Sequence, residues 1–198
     1  MAKGRGAQKL DIPSAESLAA SAQEVSKGGL PPVENWNPPF CGDLDMRIAR
    51  DGTWFYLGTP IGRAGLVRLF SSILRKDGDD YFLVTPVEKV GITVDDAPFV
   101  AIDFTVEGAG KDQVLVFETH VGDIVRAGAD LTIRVSYDAS GEPSPYILVR
   151  RNLEALIDRK SFYRLVDIGT HAEHDGAQWF GLWSGGVFFP IILSSELP

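Results

Sequence analysis

One stretch of the chain occurs twice in outline. Ile61-Gly62-Arg63-Ala64-Gly65-Leu66-Val67-Arg68-Leu69-Phe70 lies over Ile157-Asp158-Arg159-Lys160-Ser161-Phe162-Tyr163-Arg164-Leu165-Val166, gap-free at an offset of 96, with the Ile, both Arg and the Leu identical. At an offset of 98, Asp77-Gly78-Asp79-Asp80-Tyr81-Phe82 lies over Asp175-Gly176-Ala177-Gln178-Trp179-Phe180, and at 85 Asp45 and Ile48 lie over Asp130 and Ile133. Identity this sparse also arises between unrelated amphipathic helices, so the weight rests on the repeated order of ribbon, helix, turn and aromatic strand. That order predicts an internal duplication: two similar strand-rich α+β units, each with one packed helix, facing one another across a pseudo-symmetric seam.

A chain of 198 residues buries roughly 70% of the surface its unfolded form exposes, so its core needs no metal or disulfide staple. The 19 Lys and Arg against 27 Asp and Glu leave a net charge of −8, which speaks against duplex nucleic acid, whose binding is driven by counterion release at basic patches. One basic pocket for a small anion remains compatible with that balance. The single cysteine, Cys41, has no internal disulfide partner and suits a reducing cytoplasm. Lys3, Arg5 and Lys9 resemble the start of a signal peptide, but no apolar run follows. Gly181 to Leu193 is broken by Ser184, Gly185, Gly186 and Pro190 and is too short for the roughly 20 residues of a membrane helix. No membrane partner is expected.

Along the chain, residues 1–30 read as a mobile arm or one loose helix, with Ser14 as N-cap of a weak rhythm over Ser14 to Val25. Units over 31–97 and 98–198 follow. Pro31-Pro32 and Pro38-Pro39 impose an extended lead-in between Trp36 and Phe40. Met46, Ile48, Trp54 and Tyr56 alternate on either side of Asp51-Gly52, a tight-turn dipeptide, which predicts a hairpin. Ile61, Leu66, Leu69, Phe70, Ile73 and Leu74 fall at helical spacing and predict a helix ending near Asp77-Gly78. Strands follow at Tyr81–Val84, Val90–Val94, Phe99–Val106, Val114–Phe117, Asp130–Val135 and Tyr146–Arg150. Leu153–Ile157 and Phe162–Val166 read as short helices, the second capped by Ser161. The chain closes on a hairpin around Ser184-Gly185-Gly186.

Trp54-Phe55-Tyr56-Leu57-Gly58-Thr59-Pro60-Ile61-Gly62-Arg63, then Leu66 to Arg75, Leu83-Val84-Thr85-Pro86-Val87-Glu88-Lys89 and Asp96-Ala97-Pro98-Phe99 resemble the bacterial domain-of-unknown-function family numbered 1285, from about residue 31 onward. The resemblance implies a duplicated core whose C-terminal half is pleckstrin-homology-like. It also implies a nucleotide-like ligand at the domain seam and a role in signalling, and it carries over no catalytic residue.

The chemistry-bearing residues narrow the choice. His171 and His174, with His120 more distant, offer a helical i, i+3 metal pair, but Gly169 and Gly176 flank the run as in an exposed turn and no complementary Cys or His spacing accompanies it. Cys41 has no nearby His, and Ser184 lacks the first glycine of a nucleophile elbow. Gly58 to Arg63 and Gly108-Ala109-Gly110-Lys111 match neither phosphate-loop pattern. Gly58 to Arg63 nevertheless leads into a helix N-terminus, where free N–H groups favour an anion and Arg63 can donate a fork of hydrogen bonds. The competing reading is that Gly and Pro turn the chain and Arg63 caps or forms a salt bridge.

The expectation is therefore a cytoplasmic, non-catalytic protein without cofactor or metal that holds a small anionic, nucleotide-like ligand between its units. Arg63, Lys89 and Arg159 neutralise the ligand, and Trp54 or Tyr56 stacks on it. The alternatives are a protein–protein interaction module built on the pleckstrin-like half and, third, a metal-dependent enzyme using His171 and His174.

Overall fold

A computed structural model describes residues 12–197; Lys3, Arg5 and Lys9 lie outside them. The architecture is two-part and strand-rich with three α-helices among the described residues. Of the described residues, those up to Ile48 and Thr53–Val94 form one compact unit, and Ala49–Gly52 with those after Val94 form the other.

In the first unit, α1 (Ala15–Val25) starts where the Ser14 hydroxyl accepts the Ser17 N–H at 3.2 Å, the cap its sequence predicts. β1 (Phe40–Ile48) and β2 (Trp54–Tyr56) pair antiparallel, Ile48 against Trp54. The predicted hairpin is present, with Gly52 at φ +85 in the turn, a conformation that costs glycine little. After β3 (Thr59–Pro60) comes α2 (Ala64–Ser72), then β4 (Leu74–Asp77), β5 (Asp80–Val84) and β6 (Lys89–Val94). The sheet order is β3-β2-β1-β6-β5-β4. Two antiparallel meanders are thus joined down the middle by the parallel pair β1 and β6, Phe40 against Lys89 and Ile48 against Val94.

The helix predicted to run to Asp77 stops five residues short. Phe70, Ile73 and Leu74 are all fully buried and satisfy a helical and a strand rhythm equally. The Ser71 and Ser72 hydroxyls donate back to the Arg68 and Leu69 carbonyls at 2.8 and 2.7 Å, such bonds being one way a helix end is finished. Leu74 then pairs with Leu83.

The second unit contains β7 (Phe99–Glu107), β8 (Val114–Thr119), β9 (Ile124–Arg126), β10 (Ile133–Tyr137), β11 (Pro143–Arg150) and β12 (Leu153–Ile157), in the order β10-β11-β12-β7-β8-β9. β12 runs parallel to β7. Residues 153–157, expected as a helix, are this strand: Leu, Glu and Ala favour helix locally, but Leu153, Ala155 and Ile157 bury alternately between two neighbours. Long-range pairing overrides propensity there. α3 (Arg159–Asp167) follows, capped not by Ser161 but by Asp158, whose Oδ1 accepts the Ser161 N–H at 2.7 Å. A three-stranded sheet of β13 (Thr170–His174), β14 (Ala177–Ser184) and β15 (Val187–Leu193) ends the fold. Gly185 and Gly186, at φ +59 and +75, form its predicted two-residue turn, which demands positive φ at both positions.

Side chains fasten this small sheet to the rest of its unit. Ser184, fully buried, accepts the Leu115 N–H and donates to the Ala127 carbonyl, both at 2.8 Å. The Tyr137 hydroxyl donates to the Ile191 carbonyl at 2.7 Å, and Gln113 donates to the Trp183 carbonyl at 2.9 Å.

The order strand, strand, strand, nine-residue helix, strand, strand, strand occurs twice, as β1-β2-β3-α2-β4-β5-β6 and as β10-β11-β12-α3-β13-β14-β15. In the first run β1 pairs with β6; in the second β10 lies against β15.

In the turn between β8 and β9, His120 accepts the Val100 N–H on Nδ1 at 3.1 Å, so the neutral ring carries its proton on Nε2. Burial holds the His120 pKa below its ordinary 6.5, against the opposing pull of the Val100 and Gly52 backbone and of Asp123 and Asp51. As pH falls below 6.5, the unfolded chain protonates first, so stability drops until the lower native value is reached. Urea midpoints measured between about pH 5 and 8 should therefore rise with pH, and His120→Gln should flatten part of that slope. Identical slopes in the two proteins would contradict this assignment.

Candidate functional site

Pro60 and Gly62 interrupt the strand rhythm after β2, and the Ile61 N–H is pinned to the Trp54 carbonyl at 2.8 Å. The chain then enters α2 through Arg63, an extended N-cap at φ −93 whose side chain makes no capping bond. Arginine has no side-chain acceptor to offer, so the start of α2 has no side-chain cap, and of its first-turn N–H groups Leu66 turns to the Arg63 carbonyl at 3.0 Å. Nor does the Arg63 guanidinium have a hydrogen-bond or ion-pair partner among the described residues.

Beside it opens a cleft of about 270 Å³, walled by Ala15 and Ala19 of α1, Tyr56 at the end of β2, Ile61, and Leu66 and Phe70 of α2. Alanines one turn apart let α1 approach α2, and the Ser26 and Ser72 hydroxyls, 3.0 Å apart, join the two helices at the far end. Among the described residues, Glu16 and Arg63 are the charged ones that line the cleft.

The expected ligand residues divide. Arg63 and Tyr56 share this cleft. Trp54 does not: it is 1% exposed and stacks on Phe70 at 6.2 Å, leaving no face for a ligand. Lys89 is spent inside its own sheet, with Nζ 2.7 Å from Asp77 and 3.8 Å above the Phe82 ring. Burial works to raise the Asp77 pKa, yet hydrogen bonds from Arg75 and Lys89 outweigh it and hold the carboxyl below its usual 3.8. Arg75 also donates to the Val33 and Trp36 carbonyls at 2.9 and 2.6 Å, so this cluster clamps the extended lead-in.

Arg159 lines a cleft of about 230 Å³ in the second unit, with Arg50, Ile157 and Phe162. Ile61, Arg63 and Leu66 in one cleft and Ile157, Arg159 and Phe162 in the other stand opposite one another when the two stretches are laid gap-free at an offset of 96. Their electrostatics differ. Arg159 donates to the Tyr163 hydroxyl at 2.8 Å, Arg50 donates to Ser144 at 2.9 Å and lies 3.4 Å from Asp96, and Glu142 and Asp158 add two carboxylates. Both arginines of that cleft already have side-chain partners.

The remaining candidates have structural partners. His171 and His174 stand on β13 rather than in a turn or helix. At a spacing of three in a strand they point to opposite faces, His171 bonded to Ser194 at 2.8 Å and His174 against Phe188. Among the described residues, no three of His, Cys, Asp and Glu gather to hold a metal. The Ser184 hydroxyl is committed to two backbone groups, and the Cys41 thiol donates to the Pro39 carbonyl at 3.4 Å. No helix among the described residues is long and apolar enough to cross a membrane. Sequence reasoning missed the cleft walls Ala15, Ala19, Leu66 and Phe70; the available signal was the Ala15, Ala19, Ala22 spacing of one helix face.

The family model for the N-terminal domain of DUF1285, a domain of unknown function, matches residues 31–97, and that for the C-terminal domain of the same family matches residues 98–191. The crystal structure of a DUF1285 family protein from Silicibacter pomeroyi DSS-3 is 62% identical, covering 90% of this chain and 96% of that one with a TM-score of 0.82. A DUF1285 family protein from Shewanella baltica OS155 is 34% identical over 63% of this chain and 91% of that one, with a TM-score of 0.51. No curated protein matches. Two adjoining domain models and a relative this similar along nearly its whole length place the chain in the DUF1285 family.

Proposed function

We propose that this chain is a non-catalytic binding protein, cytoplasmic and acting in signalling, for a small anionic ligand built like a nucleotide: a flat or apolar group joined to a charged one. The observation that carries the reading is Arg63, a guanidinium without a partner among the described residues, lining an apolar cleft that also holds Tyr56. A charge-assisted fork from Arg63, added to the uncapped start of α2, favours an anion there. That equivalent repeat positions line both clefts supports a duplicated origin for the two helix-bearing runs. The six-stranded sheet that precedes α3 supports a pleckstrin-like reading of the second unit.

A thermal-shift panel of nucleoside phosphates and simple anions tests the proposal. A binder present at 100 times its Kd should add about 2.7 kcal/mol, and Arg63→Ala should abolish the gain. No shift with any anion, or an equal shift in the variant, discards the proposal. A protein-interaction module is the second reading. It is favoured by Ile124, 65% exposed on the edge strand β9, where a partner strand can add to the sheet.

A further inference from the structure

We infer that the cleft of the first unit takes a molecule with one negative charge and an apolar body, such as an aryl or medium-chain aliphatic carboxylate, rather than a sugar-bearing polyphosphate. The inference rests on the anion-binding reading above and narrows it. Charge complementarity sets the number of charges. Among the described residues, Arg63 is the one cation lining the cleft and Glu16 the one carboxylate, so a second negative charge on the ligand would meet repulsion with no described cation to offset it.

The walls set the body. Ala15, Ala19, Ile61, Leu66 and Phe70 present carbon, and among the described residues the side-chain hydroxyls in the lining are those of Tyr56 and Thr59. Ribose hydroxyls and base edges placed against such walls leave their hydrogen bonds to water without replacement, which lowers affinity. A hydrocarbon chain or plain ring loses nothing there and gains burial. The volume, about 270 Å³, lies at the lower edge of the roughly 300–1,000 Å³ of small-molecule sites. A bound carboxylate meets the Arg63 fork at the rim while its body lies between α1 and α2.

Calorimetry and melting of the full chain with octanoate, 4-phenylbutyrate, 1-octanol, inorganic phosphate, AMP and ADP separate the possibilities. Octanoate and 4-phenylbutyrate should bind. The uncharged 1-octanol and the bodiless phosphate should each bind about ten-fold more weakly, the scale of one charge-assisted hydrogen-bonded contact. In Arg63→Gln octanoate should fall to the level of 1-octanol, and Arg63→Lys should restore part of the difference. If AMP or ADP binds as tightly as octanoate through Arg63, the narrowing is overturned and the anion site stands. If 1-octanol equals octanoate, the cleft reads no charge and the narrowing is overturned. If no anion binds in an Arg63-dependent way, the narrowing and the reading beneath it fall together.

Discussion

Trp54→Ala should cost about 3–5 kcal/mol of stability, the range for emptying a buried aromatic site. Trp54 is 1% exposed, and its ring stacks on Phe70 at an interplanar angle of 21°. Its indole Nε1 has no hydrogen-bond partner, so the whole loss is packing, and Trp54→Phe should recover much of it. Urea unfolding reads both variants. A cost below about 1 kcal/mol for the alanine would mean the site collapses far more readily than buried aromatic positions do. The effect reaches the candidate site as well, because Phe70 also lines the cleft and loses its support when the indole goes. Octanoate affinity should therefore weaken in Trp54→Ala even though Trp54 touches no ligand.

Ser184→Ala should be the second large effect, for the opposite reason. It removes almost no volume but strands the Leu115 N–H and the Ala127 carbonyl, both beside residues with 2% exposure or less. Each buried group left without a partner costs about 1–3 kcal/mol, so for the two a loss of about 2–6 kcal/mol is expected. Denaturant midpoints give the size, and hydrogen exchange at the Leu115 amide gives the cause: that amide should become far less protected than its neighbours in β8. Unchanged protection of Leu115 would mean that another acceptor had replaced the hydroxyl.

What could be read from the chain beforehand divides along the range of the interactions involved. Ser14 as a cap, the turn at Asp51-Gly52 and the Gly185-Gly186 hairpin were legible because local chemistry settles them: a hydroxyl three residues from an N–H, or glycines where positive φ is needed. Leu153–Ile157 was not, since its helix-favouring residues become a strand only because β7 and β11 lie on either side. Leu74–Asp77 was not, because an apolar spacing shared by both periods says nothing about which partner arrives. Arg63 stood out through the Gly and Pro around it. Trp54 and Lys89 looked available in a sequence that cannot show Phe70 above one and Asp77 beside the other. The alanine wall of the cleft belongs to a helix some forty residues upstream in the chain, and no local rule brings the two together.

The parallel pairing of β1 with β6, and of β7 with β12, has a consequence for biosynthesis. In both sheets the ladder at the centre joins the earliest strand to the latest. A growing polypeptide on the ribosome thus exposes β1 with one edge open until Val94 has emerged, and at about 5–20 residues per second that wait is on the order of seconds. Closure comes only with the last strand, a high-contact-order step that is slow compared with hairpin formation. Chains truncated before β6 or before β12 should present sticky, half-finished sheets with open edges rather than smaller stable ones.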